Sequence, residues 1–269
     1  MSTAARVRTD PRISRRRRAI VRSRRRRMLI TAGVVAGLAG AIWVAFWSPL
    51  LDVRKVVVVG GKHVSSSDVA AAASLGRDDN LLLVSTSQVT EAVEDLPWVL
   101  EAKVDRKLPG TVRVKVVERS ARIALSVGEA RWTLDARGNV LQSGLAEQGM
   151  PVLAGATIDE VRPGERIAEV EVRDALAAWR SLALRVRREV AAILAPTAER
   201  ITFSLHDGTQ VRFGAAESLR AKNEVLVALL AQMRAENRSA SYIDVRVPTS
   251  PAISVAPAPS ATVTPTPAP

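Results

Sequence analysis

Cysteine is absent from this chain of 269 residues, histidine occurs twice, and aromatic residues make up only 3%. Each scarcity excludes something. Without cysteine there is no disulfide framework, no thiolate zinc site, no iron–sulfur cluster and no cysteine nucleophile. His63 and His206 each fall in a predicted turn, and His206-Asp207 lacks the further ligands that a divalent metal needs. The neighbouring acids Asp78 and Asp79 cannot flank a sugar substrate from two sides, as glycoside hydrolysis requires. No glycine-rich phosphate loop ends in Lys-Ser/Thr, and no serine stands in a Gly-x-Ser-x-Gly elbow. Asn237-Arg238-Ser239 matches a glycosylation triplet, a pattern too short to carry weight. The residues therefore predict no catalytic site, no metal and no cofactor. They point to a binding protein whose core is built from Val, Leu, Ile and Ala.

Acidic charge is scarce where basic charge is densest. The net charge is +12, from 39 basic and 27 acidic residues. Residues 1–27 hold twelve of the arginines and one acid, Asp10, which leaves 27 basic and 26 acidic residues in the other 242. A nucleic-acid-binding domain spreads positive charge over a folded face; here the remainder of the chain is electrically balanced, so no nucleic acid is expected as a partner. The next twenty residues, Met28–Trp47, carry no charge. As a helix they span about 30 Å, the thickness of a bilayer hydrocarbon core. Trp43 and Trp47 suit the far interface, and Ser48-Pro49 stops the helix. Arginines at one end assign that end to the cytoplasm and the rest of the chain to the outside, with anionic lipid headgroups within the arginines' reach. Two other readings compete. A core helix does not normally run so long uncharged beside an arginine block. A cleaved leader finds its small-x-small site at Ala39-Gly40-Ala41, but the apolar run continues beyond it.

Residues 51–119 read as a small domain. Val53–Val59 is a β-branched strand ended by Gly60-Gly61. Ser65 or Ser66 caps a helix with an apolar stripe through Val69, Ala72, Ala73 and Leu75, ended by Gly76. A second helix places Val89, Val93 and Leu96 on one face and stops at Pro97. A hairpin follows, turning at Leu108-Pro109-Gly110, with Val112, Val114 and Val116 alternating against Arg113 and Lys115.

This order, with "VRKVVVVGGKHVSSSDV", Pro97-Trp98, "LPGT" and "VVER", resembles the POTRA domain of FtsQ/DivIB cell-division proteins. The resemblance implies an α+β protein: one transmembrane helix, an extracytoplasmic POTRA domain (β-α-α-β-β), and a β-rich α+β domain. The expected organisation is a cytoplasmic arginine-rich tail over 1–27, the helix over 28–47, POTRA over 51–119, an FtsQ-type β domain over 120–250 and a disordered tail over 251–269.

Within 120–250, Asp135–Gly138 marks a hairpin turn, and Met150–Ala156 a loop where the family pattern has leucine in place of Met150. A helix runs through Val172, Leu176 and Trp179, and a second hairpin turns at His206-Asp207-Gly208. The clearest amphipathic helix puts Leu219, Lys222, Leu226, Leu229, Leu230 and Met233 on one side. Tyr242–Val247 is the final strand, placed to form a sheet edge. From Pro248 the chain is rich in Pro, Ala, Thr and Ser, a composition that cannot bury a core.

The resemblance implies a non-enzymatic scaffold of the bacterial divisome. It would bind an FtsB/FtsL-like coiled-coil pair, and further the septal synthase FtsW/FtsI, and so help organise septal peptidoglycan synthesis. In such proteins FtsB is held at the C-terminal strand and the helix before it. The matching positions are Arg246, Val247 and Thr249, with Arg200 on the earlier hairpin as an anion partner; Tyr242 and Ile243 of the same strand complete the expected partner-binding set, and the expected mode is β-addition to the edge. The family often has an aromatic where this chain has Val247, and Pro248 and Pro251 shorten the edge. The alternatives are a membrane-anchored cell-wall enzyme, or a POTRA-type chaperone or assembly module of an envelope complex.

Overall fold

The computed structural model describes residues 11–47, 51–77 and 79–255, with the side chains of the first helix described over 26–44. Asp78, the Ser48-Pro49 stop, the first ten residues and the tail from 256 lie outside the described residues. The first helix, α1 (Pro11–Trp47), runs unbroken through the arginine block and the apolar run. Within it, Arg26–Val44 is long and apolar enough to cross a membrane, with a mean hydropathy of 1.7 and no part of it buried against protein. A core helix of this composition would be packed.

The chain divides into two compact units that do not follow chain order. One holds Met1–Val58, Ser66–Val89 and Val104–Val114; the other holds Val59–Ser65, Thr90–Lys103 and Lys115–Pro269. After α1 come β1 (Lys55–Val59), α2 (Ser66–Ala72), α3 (Thr86–Glu94), β2 (Val99–Lys107) and β3 (Thr111–Glu118), with the strands in the order β1-β3-β2. This is the predicted strand-helix-helix-strand-strand sequence. β3 alternates as its residues dictate, burying Val112, Val114 and Val116 and exposing Arg113 and Lys115. α3 buries Val89 and Val93. α2 stops earlier than predicted. Ser74, at φ 50°, takes the left-handed conformation expected of a glycine, and the Leu75 N–H closes on the Ala70 carbonyl. Gly76 instead donates its N–H to Asp79 Oδ2 at 2.7 Å.

Gly110 shows why the hairpin turn reads "LPG". A Cβ there would stand 2.5 Å from the Asp52 carbonyl oxygen. The close approach lets the Gly110 carbonyl accept from the N–H groups of Arg54 and Lys55, at 2.8 and 3.1 Å.

The "VVER" motif holds a carboxylate, Glu118, that gathers a loop. Glu118 Oε1 accepts from the N–H groups of Lys62, His63 and Val64 at 2.7, 2.7 and 3.2 Å. Its Oε2 lies 2.9 Å from His63 Nδ1, and the His63 ring stacks on Trp98 with centroids 3.7 Å apart. Burial works to raise the Glu118 pKa; the hydrogen bonds from the His63 side chain and the three N–H groups outweigh it and leave the pKa lowered.

The rest of the chain is β4 (Ala121–Val127), β5 (Ala130–Asp135), β6 (Val140–Ser143), β7 (Val152–Ala154), α4 (Val170–Ser181), α5 (Leu184–Arg187), β8 (Val190–Leu194), β9 (Thr202–Leu205), β10 (Gln210–Arg212), α6 (Leu219–Ala235), β11 (Ala240–Asp244) and β12 (Ala252–Val255). They form a nine-stranded sheet ordered β12-β11-β10-β9-β8-β7-β4-β5-β6. The protein is α+β, as predicted. β7–β8 and β10–β11 are parallel pairs, bridged by α4–α5 and α6. Val172, Leu176 and Trp179 of α4 and Leu226, Leu230 and Met233 of α6 join Ile193, Phe203, Val211 and Ile243 of the sheet in one core.

The predicted turn at Asp135 is present. Asp135 accepts from the N–H groups of Arg137 and Asn139 at 2.7 and 3.0 Å, from Asn139 Nδ2 at 2.7 Å and from the Arg119 guanidinium at 3.2 Å. Residues 150–156, predicted as a loop, instead contain β7, a central strand paired parallel to both β4 and β8. Lys222, predicted among the apolar residues of α6, is buried. Its ammonium donates to the Phe213 and Ala215 carbonyls at 3.0 and 2.8 Å, and desolvation lowers its pKa against the opposing charge of Glu217.

Two outcomes follow. Gly110→Ala should cost about 1–3 kcal/mol in urea denaturation, because the Cβ meets backbone that has little room to retreat. Glu118→Gln should also destabilise. Because the Glu118 pKa is lowered on folding, its contribution is present above its ordinary value of 4.5 and fades as pH falls through the folded-state value. Wild type and variant should therefore converge in a pH series of denaturation midpoints as the medium becomes acidic.

Candidate partner-binding edge

The edge is assembled by β10, α6, β11 and β12. β10 and β11 run parallel with Gln210 beside Tyr242, Val211 beside Ile243 and Arg212 beside Asp244. A parallel neighbour needs a long connection, and α6 supplies it. The Thr209 hydroxyl donates to the Ala240 carbonyl at 3.0 Å, fixing where β11 begins. β12 then folds back antiparallel on β11, with Ser254 beside Tyr242, Ile253 beside Ile243 and Ala252 beside Asp244.

This corrects the predicted edge. Tyr242–Val247 is not the last strand: β11 ends at Asp244 and lies between β10 and β12. Val245 is buried and its N–H reaches the Arg212 carbonyl at 3.0 Å, while the Ser250 N–H donates to the Val247 carbonyl at 3.0 Å in a turn. Pro248 and Pro251 were expected to shorten the edge; they bracket the reversal that builds a new one, since proline cannot continue a ladder. The unstructured tail expected from 251 is likewise corrected, because Ala252–Val255 is a strand. The residues that sequence reasoning missed are these four. Their only signal was Ile253 and Val255, two apart in a proline-rich run.

The predicted site residues separate. Ile243 is 0% exposed and belongs to the core, so its side chain cannot meet a partner. Tyr242 is half-buried, with the Arg212 guanidinium 4.3 Å from its ring centroid. Arg246, Val247 and Thr249 are exposed in the β11–β12 turn rather than on a strand. Arg200 is exposed in the loop before β9. Next to it, the Ile201 carbonyl accepts from the N–H groups of Phe213 and Gly214 at 2.9 and 3.0 Å. Gly214, at φ 71°, lies under Arg246: a Cβ there would come within 2.9 Å of Arg246 Cγ. Arg200, Arg212 and Arg246 therefore gather at one end of the sheet.

Arg246 is not free to reach outward. Its Nε lies 3.0 Å from both Asp244 oxygens and its Nη2 2.7 Å from Oδ2. This hydrogen bonding holds Asp244 below the usual carboxylate range against the upward pull of burial, helped by the Arg246 N–H and the charges of Arg246 and Arg212. The same pairing raises Arg246. Among the described residues no group of three or more His, Asp or Glu side chains is placed to hold a metal ion.

What the edge offers is backbone. Among the described residues β12 ends the sheet, and its outer N–H and C=O groups face away from β11.

Comparison with known proteins gives two matches of family models. Residues 51–119 match "POTRA domain, FtsQ-type" and residues 121–246 match "Cell division protein FtsQ/DivIB, C-terminal". The chain belongs to the FtsQ/DivIB family. Among its relatives, the cell division protein FtsQ of Mycobacteroides abscessus is 31% identical over 205 residues, covering 76% of this chain and 63% of that protein. FtsQ of Mycolicibacterium smegmatis is 30% identical over 207 residues, and the match spans 60% of its length. FtsQ of Streptomyces venezuelae is 28% identical over 233 residues, covering 85% and 84% of the two chains. The chain thus spans about three fifths of the first two relatives. A solved structure, the major extracytoplasmic domain of DivIB from Geobacillus stearothermophilus, is similar at 18% identity and a TM-score of 0.30, covering 45% of this chain and 96% of that one.

Asp244→Asn should release Arg246 and lower stability at neutral pH. Asp244 is the partner with a lowered pKa, so the loss should be full above its ordinary value of 3.8 and vanish as pH drops through the folded-state value. Guanidine-free thermal melts of both proteins at neutral and acidic pH measure the difference.

Proposed function

We propose that the chain is a membrane-anchored, non-enzymatic scaffold of the division machinery. In this reading the arginine-rich start lies in the cytoplasm, α1 crosses the membrane, and a POTRA domain over 51–119 and a β domain beginning at 120 lie outside. The β domain extends past 250 to include β12. The orientation follows from the arginines on one flank of the apolar run. The division role rests on family membership.

The observation that carries the binding role is the open edge of β12. A strand with unpaired backbone groups is a template for an incoming strand. The partner is an FtsB-like segment, paired with an FtsL-like coiled coil, and it adds to Ala252–Val255 rather than to Tyr242–Val247. Exposed Val247 and Thr249 flank that edge, and Arg200, beside an Arg246 already paired with Asp244, favours an acidic residue on the partner. Through this pair the scaffold would help place the septal synthase FtsW/FtsI.

Ile253→Pro and Ser254→Pro test this together. Successive residues of an antiparallel strand turn their N–H groups to opposite sides, so one of the two removes an outward-facing donor and the other an inward one. The outward variant should keep its unfolding midpoint and bind the extracytoplasmic part of the partner about tenfold or more weakly, equivalent to about 1.4 kcal/mol. Calorimetric titration gives the affinity. Unchanged affinity in a folded protein for both variants would falsify docking at β12.

A further inference from the structure

Among the described residues of the unit that contains α1, the large hydrophobic side chains exposed outside that helix are Leu82, Leu83 and Leu108, at 38%, 65% and 68%. They stand on two loops, the one between α2 and α3 and the one between β2 and β3. Both loops are fastened to the first residues that follow the apolar helix. The Leu81 N–H donates to the Leu51 carbonyl at 2.8 Å, and the Val53 N–H to the Asp79 carbonyl at 2.9 Å. Asp52 and Asn80 form an isolated antiparallel bridge. The Gly110 carbonyl accepts from Arg54 and Lys55, and Arg106 Nη1 ties the loops together through the Leu82 carbonyl at 3.3 Å.

The first loop is a set turn rather than a loose tip. Asn80 accepts from the Leu82 N–H through Oδ1 at 2.9 Å and from the Leu83 N–H through its carbonyl at 2.9 Å. Leu81 and Val84 turn inward, and Leu82 and Leu83 are held outward. Exposed Arg106 and Lys107 immediately precede Leu108 in the chain, and exposed Arg77 stands on the loop that carries Leu82 and Leu83.

Distance decides what covers them. Leu51 follows Trp47, the end of α1, by four residues, and four residues reach at most about 14 Å. The headgroup layer on each side of the hydrocarbon core is about 5–8 Å thick. Leu51 therefore lies no farther than about 14 Å from the end of the apolar helix, so leucines held beside it stay within reach of the headgroup layer. An apolar tip beside cations is also the composition of a segment that lies in the interface.

We infer that Leu82, Leu83 and Leu108 form a foot that rests in the outer interface of the membrane crossed by α1, with Arg77, Arg106 and Lys107 against anionic headgroups. The inference rests on the reading of Arg26–Val44 as a membrane span. The foot gives this unit two further points of attachment beside the helix, and so fixes its tilt on the bilayer.

The absence of cysteine makes the test direct. The full chain is prepared as single-cysteine variants Leu83→Cys, Leu108→Cys, Val59→Cys and Val34→Cys, each carrying the same fluorophore. Each is reconstituted in vesicles of phosphatidylcholine and phosphatidylglycerol containing lipids with a nitroxide at the headgroup or deep in the acyl chain. Val59 is the control, being exposed at the far end of β1, about 13 Å beyond Lys55. The shallow nitroxide is expected to quench labels at 83 and 108 several-fold more than the label at 59, and the deep one to quench the label at 34. If 34 is quenched while 83 and 108 match 59, the foot is wrong and the span stands. If 34 escapes quenching, the span itself is wrong. Cross-linking of Leu83→Cys chains to each other without lipid quenching would assign the leucines to a second copy of the chain and overturn the inference.

Discussion

Parallel strands cannot be joined by a tight turn, and this constraint organises the larger sheet. β7, β8, β10 and β11 all run one way, and the chain steps from β7 to β8 and from β10 to β11 in the same direction across the sheet. Each step needs a helix, and right-handed crossovers in the same direction place both helices on the same face. α4 and α6 accordingly share one core, and the strands alternate beneath them: Phe203, Val211 and Ile243 turn inward while Ser204, Gln210 and Tyr242 turn away. The edge at β12 follows from the same rule: the connection after β11 is short, so the strand it adds must be antiparallel.

A chain without disulfides must fix its loops by other means, and two acids, Asp135 buried and Glu118 half-buried, do so here. Glu118 and Asp135 each collect several N–H donors from a loop that would otherwise leave them unpaired. Both sit beside a basic group, His63 for one and Arg119 for the other. Lys222 is the inverse case: a buried cation satisfied by the carbonyls that end β10. Such groups are costly when a partner is removed and so specify one arrangement of the backbone.

The elements legible in the sequence were those that carry their own periodicity. α1 is a single uncharged run behind arginines, β3 alternates strictly, and α6 repeats its apolar residues at helical spacing. The turn at Asp135 was legible because its residue types have a local job. β4, β7, β8 and β12 were not. β7 is three residues between Pro151 and Gly155, and its strand character comes from β4 and β8 on either side, partners far away in the chain. β12 lies in a composition that reads as unfolded and owes its order to β11. The site suffered most from this. Tyr242–Val247 was read as the last strand, whereas β11 ends at Asp244, Ile243 belongs to the core, and β12 follows at Ala252. Lys222 was put on the correct face without the carbonyls that explain it, since those belong to a different segment.

β12 also carries a consequence for the order in which the protein is made. It leaves the ribosome after every other strand of the sheet, when β11 already has its place beside β10. Until residue 252 emerges, the domain is a finished core with a raw flank: the β11 ladder from Ala240 to Asp244 faces water with half its main-chain groups unmatched. A prematurely ended chain would keep that flank, which invites association with other chains. Emergence of residues 252–255 caps that ladder, because β12 pairs with β11 along Ala240–Asp244.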